Sequence, residues 1–212
     1  MKILKTIGTD LKWVKIGLQM FTSQGPDWVN QVAAMGYQVF LDLKLHDIPN
    51  TVEKAVQSLC HLPIGMLTLH SLGGVEMLTA ANKVRQELKP NLLLLGVTVL
   101  TSMDKKQLNR VGVPASPQDQ VQNLAGAVVE SRVPGIVCSA KELKTLGPNF
   151  RTQLKFITPG IRPAGASEDD QKRIVTPAQA ATLGSDYIVV GRPIYKAASP
   201  REAVQSIRED LQ

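Results

Sequence analysis

Short apolar runs alternate with helical patterns along the whole chain, and this alternation constrains the fold more than any other feature. Strands that alternate with helices form a parallel sheet covered by helices. No linker or low-complexity segment interrupts the pattern. The runs predicted as strands are residues 13–18, 38–45, 66–70, 92–100, 135–140, 154–158 and 186–190.

Several helical patterns begin with a residue pair that fits a capping box, in which two residues three positions apart cap each other's backbone N–H. Pro177 and Pro200 fit the first position of a helix, where a missing N–H does no harm, and Gly184 fits a helix C-terminus. The predicted capping pairs are Asn50 with Glu53, Ser139 with Glu142, Thr176 with Gln179, and Ser199 with Glu202.

Two α/β architectures fit this order of elements, a (β/α)8 TIM barrel and an open doubly wound sheet. No Gly-rich dinucleotide fingerprint follows an early strand, which disfavours the second. Polar residues recur at the C-terminal ends of the predicted strands, where a barrel builds its active site. We therefore predict a single β/α-barrel domain over residues 1–212. The polar strand-end residues are Asp42, Lys44, His70, Thr101, Arg162 and Arg192.

About seven strands are recognisable, whereas a closed barrel of this type has eight. Residues 1–9 read better as the second half of a helix than as a strand. We expect that the sequence lacks the first strand of the barrel and the start of the first helix. The alternative is that residues 1–7 supply an atypical strand.

Composition restricts the class of function. The net charge is +6, but the basic residues are scattered and only 4% of residues are aromatic, so nucleic-acid binding is disfavoured. Cys60 and Cys138 fit no metal-ligand spacing and are predicted to be buried, reduced thiols. The N-terminus is too charged for a signal peptide, and residues 92–100 are too short to cross a bilayer. We expect a cytoplasmic protein without a membrane segment.

Three ionisable groups, Asp42, Lys44 and Asp47, lie where a buried strand becomes a loop. Alternation along a strand places Asp42 and Lys44 on one face, and opposite charges in a buried strand persist only if they are paired or do chemistry. Asp47 can approach Lys44 from the loop or reach a neighbouring subunit. Nearby negative charge keeps Lys44 protonated, so it is a proton donor and not a Schiff-base nucleophile. Lys15 is a plausible further partner of Asp42.

Two later loops combine glycine with arginine after predicted strands. Gly160 and Arg162 come from one loop, and Gly191 and Arg192 come from the next. Backbone N–H groups beside a guanidinium bind a phosphate dianion, and barrels often hold phosphate between the loops after strands seven and eight. The polar stretch 163–172 reads as a mobile loop.

Six segments taken together resemble orotidine 5′-phosphate decarboxylase of the bacterial type. They are FLDLKLHDIPNTV, GVTVLTSM, GIVCSAKE, TPGIRPAG, DDQKRIVTPAQA and DYIVVGRPI, and the resemblance runs from about residue 11 to the C-terminus. It implies a cofactor-free, metal-free loss of CO2 from orotidine 5′-monophosphate, which gives UMP in pyrimidine biosynthesis. It also implies a homodimer with shared active sites.

The resemblance assigns roles residue by residue. Lys44 would protonate C6 of the pyrimidine, and Asp42 would hold Lys44 and Lys15 near the substrate carboxylate. Asp47 and Thr51 would reach the partner subunit's site. The other expected substrate contacts are Thr101 and Ser102 for the pyrimidine edge, and Arg162, Gln171, Gly191 and Arg192 for the phosphate, with residues 163–172 closing as a lid.

Three alternatives remain open from the sequence. The first is a sugar-phosphate enzyme of the same barrel superfamily, which would usually require Mg2+. The second is a truncated, inactive form that still binds nucleotides. The third is a nucleic-acid binder, whose mark would be strongly salt-dependent binding.

Overall fold

The structure is a computed structural model, and it describes residues 1–163 and 174–211. Parallel strands alternate with helices, as the sequence predicts, and seven strands are found among the described residues. The strands are β1 Trp13–Gly17, β2 Gln38–Leu45, β3 Ile64–His70, β4 Leu93–Val97, β5 Gly135–Val137, β6 Lys155–Thr158 and β7 Tyr187–Ile188.

Ten α-helices are described. They are α1 Lys2–Ile7, α2 Leu18–Ala34, α3 Pro49–Leu59, α4 Gly74–Leu88, α5 Lys105–Arg110, α6 Pro117–Glu130, α7 Leu143–Phe150, α8 Pro177–Thr182, α9 Arg192–Tyr195 and α10 Pro200–Glu209. Short 3-10 turns cover Gly8–Asp10, Ser71–Gly73 and Ala140–Glu142. Helix α2 is kinked at Gly25, whose φ of 66° is not helical. The prediction that residues 1–9 are helical is confirmed by α1, and the atypical-strand alternative is wrong.

The chain divides into two compact units. The first unit comprises residues 12–98 and 124–136, and the second comprises residues 1–11, 99–123 and 137–212. The sequence-based prediction of a single domain stays a prediction.

In the first unit, strands β1 to β4 pair in sequence order, and all of these pairs are parallel. The interiors of β2 and β3 are fully buried at Leu41, Leu67 and Leu69, and α3 packs against α4. Near-continuous apolar strands of this kind are typical of parallel sheets that helices cover. The carboxyl ends of β1, β2 and β3 therefore lie side by side in this unit.

In the second unit, β6 pairs with β7 in parallel, and Phe156 and Ile157 are fully buried. In the same unit α1 packs against α10, and the side chain of Arg201 in α10 pairs with Asp10, in the 3-10 turn after α1, at 2.7 Å. Strand β7 is shorter than the predicted run 186–190, although the backbone N–H of Val189 still donates to the carbonyl of Thr158 in β6 at 2.9 Å.

The helix-start predictions were right in part. The capping boxes at Ser139 and Thr176 form, and Gly184 follows α8 with a φ of 91°. The box at Asn50 is wrong because Pro49, with its fixed φ and missing N–H, takes the first helical position. Ser199 does precede α10, but its side chain makes no capping hydrogen bond.

Candidate active site

The carboxyl end of β2 departs from regular strand geometry at the predicted catalytic residues. Leu41 pairs with Leu67 and Leu45 pairs with Leu69, so three residues of β2 lie opposite one residue of β3. Lys44 has a φ of 52°, in the left-handed region that non-glycine residues rarely adopt. Such backbone costs about 1–3 kcal/mol and clusters at functional sites. The bulge re-aims the side chains of Asp42 and Lys44.

Asp42 lies between two ammonium groups. Its Oδ1 is 2.7 Å from the Nζ of Lys44, and its Oδ2 is 3.0 Å from the Nζ of Lys15. The predicted contacts of Asp42 with both lysines are therefore present. Gly17 leaves room for Lys15, since a Cβ at that position would lie 3.2 Å from its Nζ.

The charge state of Asp42 follows from opposing effects. Burial by itself raises the pKa of this carboxyl, but the charges and hydrogen bonds of Lys15 and Lys44 outweigh burial and lower the pKa below its ordinary value. Asp42 is therefore ionised at neutral pH and holds both ammonium groups in place. About a third of the Lys44 side chain remains exposed, so a ligand can reach its ammonium.

Thr68, at the centre of β3, completes this cluster. Its hydroxyl donates to the Oδ1 of Asp42 at 3.0 Å and accepts the backbone N–H of Lys44 at 2.8 Å. Sequence reasoning missed Thr68. The one feature that could have indicated its role is its hydroxyl, which interrupts the otherwise apolar run that leads to His70.

Asp47 and Thr51 lie apart from this cluster, on the exposed side of the loop and helix that follow β2. The Oδ1 of Asp47 accepts the backbone N–H of Ile48 at 2.7 Å. Within the described part of the chain, Asp47 makes no ion pair with Lys44. Both alternatives, an approach of Asp47 to Lys44 of its own chain and a role towards a neighbouring subunit, stay predictions.

His70 ends β3 and stacks on His46, with ring centroids 5.4 Å apart. Its Nδ1 accepts the backbone N–H of Leu72 at 3.3 Å. Burial lowers the pKa of His70, and the charges of His46 and Lys44 lower it further. His70 is therefore neutral at neutral pH.

The predicted phosphate residues belong to the second unit. Gly160 has a φ of 79°, and the following residues form a parallel bridge between Ile161 and Val175. Arg162 is buried, and its guanidinium donates to the carbonyl of Ile161 at 2.9 Å. Gly191 precedes α9, of which Arg192 is the first residue.

The remaining predicted contacts also belong to the second unit. Thr101 and Ser102 lie in the loop between β4 and α5, where Thr101 is half-buried and Ser102 is exposed. Gln171 and nearly all of the predicted lid, residues 163–172, lie outside the described residues.

Residues 1–163 and 174–211 contain neither a candidate metal cluster nor a candidate membrane span. No three His, Cys, Asp or Glu side chains are grouped so that they could hold a metal ion. No helix in these ranges has both the length and the apolar character that a membrane span requires.

Fold and site together define a β/α-barrel protein with an acid-paired lysine at the end of its second described strand. A sequence profile of the orotidine 5′-phosphate decarboxylase / HUMPS family matches residues 1–207. The chain belongs to this family.

Named relatives agree with this assignment. The chain is 52% identical over 209 residues to orotidine 5′-phosphate decarboxylase of Opitutus terrae, covering 99% of this chain and 91% of that protein. It is 46% identical to the enzyme of the same name from Vibrio campbellii, covering 93% of this chain and 85% of that one. The crystal structure of orotidine 5′-phosphate decarboxylase from Lactobacillus acidophilus superposes with a TM-score of 0.87 at 36% identity, covering 100% of this chain and 92% of that one. The predicted barrel class is confirmed.

Proposed function

We propose that this protein decarboxylates orotidine 5′-monophosphate to UMP in pyrimidine biosynthesis, and that it needs no cofactor. Family membership and the relatives named above support the reaction. The observation that carries the mechanism is the ammonium of Lys44, held 2.7 Å from an ionised Asp42 on a left-handed backbone.

The chemistry follows from that ammonium. The bond between C6 and the carboxylate breaks, CO2 leaves, and the electron pair stays on C6. A fixed positive charge beside C6 stabilises the developing carbanion, since it needs no reorganisation during the reaction. The Nζ of Lys44 then transfers a proton to C6, which gives UMP, and solvent returns a proton to the amine. Asp42 and Lys15 keep the donor in place.

The substrate contacts are also part of the proposal. Arg162, Gln171, Gly191 and Arg192 bind the phosphate, and Thr101 and Ser102 contact the pyrimidine edge. A guanidinium binds phosphate with two parallel hydrogen bonds, which supports the arginine roles. Binding energy from a phosphate remote from C6 can be used to lower the barrier at the reacting carbon.

Replacing Lys44 by Ala tests the donor role. We expect kcat to fall at least about 10³-fold, since the variant loses both the acid and the positive charge. Formation of UMP in the presence of EDTA is the measurement, and it also separates this reaction from Mg2+-dependent sugar-phosphate chemistry. Lys54→Ala on α3 removes an exposed lysine and is the matched control. Normal turnover by Lys44→Ala would contradict the role, and a wild-type protein that binds UMP without turnover would support the inactive form.

Replacing Arg192 by Ala tests the phosphate role. We expect KM for orotidine 5′-monophosphate to rise about 10–100-fold, the usual effect of losing a charged hydrogen bond. Turnover of orotidine, which lacks the phosphate, should stay unchanged. Equal losses with both substrates would contradict the assignment.

We further propose that the active form is a homodimer. Three large apolar side chains are exposed just beyond the ends of the neighbouring strands β1, β2 and β3: Leu18 at 53%, Ile48 at 65% and Leu72 at 49%. Since each is already about half covered, covering the rest contributes roughly half of the about 1.5–3 kcal/mol that full burial of such a side chain provides, and a second copy of the chain is the proposed cover. Asp47, next to Ile48, would then reach the partner subunit's site, with Thr51 one helical turn further along.

Mixing two inactive variants tests the shared site. In a heterodimer of Lys44→Ala and Asp47→Asn, one site keeps both functional side chains if Asp47 serves the partner. Random mixing of a two-fold dimer then restores about one quarter of the wild-type activity. No recovery, in a mixture that sedimentation shows to contain heterodimers, would contradict the sharing.

We also propose a cytoplasmic location. Cys60 and Cys138 are both buried as thiols, and unpaired thiols are usual in a reducing compartment. Fractionation of the source cells, with detection by an antibody, would test this location.

A further inference from the structure

The bulge in β2 creates a local problem for the backbone of Lys44. Buried backbone N–H groups need an acceptor, and a bulged residue loses its regular ladder partner. Here the acceptor is a side chain, because the Oγ1 of Thr68 lies 2.8 Å from the N–H of Lys44. A hydroxyl on β3 thus replaces the missing bond of the sheet.

The same hydroxyl has a second contact. Its proton points to the Oδ1 of Asp42 at 3.0 Å, and that oxygen also accepts the Nζ of Lys44 at 2.7 Å. Lys44 N–H, Thr68, Asp42 and Lys44 Nζ therefore form a closed ring of hydrogen bonds. Both ends of Lys44, its backbone and its ammonium, are connected through one threonine.

We propose that Thr68 is a positioning residue for the proton donor, because it holds the left-handed backbone of Lys44 and orients the carboxylate that pairs with its ammonium. This inference rests on the proposed function. Thr68 has no exposed surface, so it acts through Asp42 and Lys44.

Burial argues for a specific use of this hydroxyl. A buried hydroxyl costs free energy unless it is hydrogen-bonded, and Met66, on the same face of β3 as Thr68, is a fully apolar buried side chain. Valine has nearly the same shape as threonine. Replacing Thr68 by Val therefore removes the ring while keeping the packing.

The experiment compares Thr68→Val with Thr68→Ser, which keeps the hydroxyl. Steady-state kcat and KM are measured with orotidine 5′-monophosphate, and kcat is expressed per folded site, counted by titration with UMP. We expect kcat of Thr68→Val to fall about 10–100-fold with KM little changed, since the loss is in the alignment of the donor. Thr68→Ser should recover most of this loss.

Ser131→Ala provides the matched control. Ser131 is also buried in the first unit, and its hydroxyl donates to the carbonyl of Val128 at 2.8 Å. Within the described residues its hydroxyl makes no hydrogen bond to Asp42, Lys44 or Thr68, so its loss should lower the free energy of unfolding without changing kcat per folded site.

Several results would overturn the inference. It is wrong if Thr68→Val keeps a near-normal kcat per folded site, or if Thr68→Ser loses as much as Thr68→Val. Should Thr68→Val fail to fold, Thr68→Ala replaces it under the same criteria. The Lys44→Ala variant in the same assay distinguishes failure of the proposed function from failure of this inference. Normal turnover by Lys44→Ala would refute the donor role, whatever the result for Thr68.

Discussion

Replacing Asp42 by Asn removes one charge from the catalytic cluster and keeps the shape of the side chain. The two carboxylate oxygens each accept one ammonium, from Lys44 at 2.7 Å and from Lys15 at 3.0 Å. The amide offers only one oxygen, so one of the two lysines then faces an NH2 group. A donor facing a donor is repelled, and that lysine has to move.

The cost in stability is bounded by the exposure of the three side chains. Asp42 is 12% exposed, whereas Lys15 and Lys44 are 36% and 32% exposed. Exposed ion pairs contribute about 0–1 kcal/mol, and the loss of one partner from a buried pair costs about 3–5 kcal/mol. Because only the carboxylate is well buried, we expect Asp42→Asn to lower the free energy of unfolding by about 1–3 kcal/mol.

The pH dependence of this loss has a definite sign. The pKa of Asp42 in the folded protein is below the ordinary value of 3.8. The carboxylate therefore contributes its full stabilisation above that ordinary value and loses it as the pH falls from there through the folded-state pKa. The difference between wild type and Asp42→Asn should shrink as the pH drops below about 4.

Urea unfolding of both proteins, from neutral pH down to about pH 3, measures this difference. The control is Asp47→Asn, the same change at an exposed carboxylate, which should stay within about 0.5 kcal/mol of wild type. A stability difference that is constant across this pH range would refute the reasoning, and so would an equal loss in Asp47→Asn.

Three further predictions concern packing, protonation and surface charge. Gly65→Ala should lower the free energy of unfolding by about 1–3 kcal/mol, since its Cβ would lie 2.7 Å from the ring of Trp13; thermal unfolding measures this. Burial and neighbouring positive charge hold the pKa of His70 below 6.5. The neutral imidazole therefore makes its full contribution to the free energy of unfolding above that pH, and this contribution is lost as the pH falls through the folded-state pKa. The urea midpoint of His70→Asn should therefore vary less than that of wild type between about pH 7 and pH 5. Arg201→Ala removes the ion pair with Asp10, and the 58% exposure of Arg201 limits the loss to about 1 kcal/mol or less, smaller still in high salt.

The sequence allowed the strand and helix order to be predicted because each element carries its own signal. Strand β2 was predicted with the bounds that the structure shows, residues 38–45, since its apolar run is long and ends near a proline. Strand β7 was overpredicted at residues 186–190, because an apolar run does not mark where strand pairing begins and ends. The predicted start of α3 was wrong because two local signals compete there. Asn50 fits a capping residue, but Pro49 before it takes the first helical position.

The pairing of Asp42 with Lys44 and Lys15 was predictable from charge alone. A charged residue in a buried strand needs a partner, and few charged residues were available in the neighbouring strands. Thr68 was not predictable in this way, because a hydroxyl finds acceptors in many places and its partners lie 24 and 26 residues away in sequence. Such contacts depend on the register between β2 and β3, and this register cannot be read from the sequence of either strand alone.

The backbone of Lys44 shows the physical reason for that limit. Regular alternation predicts that Asp42 and Lys44 share a face, and they do meet, but through a bulge with a left-handed residue. Nothing in the local sequence favours this geometry, since lysine is not a residue that commonly adopts positive φ. The unfavourable conformation is compensated by contacts made elsewhere, the bond from Lys44 N–H to Thr68 and the ion pair with Asp42. Local propensity therefore fails at the residue that the proposed reaction needs most, as expected where function rather than stability determines the backbone.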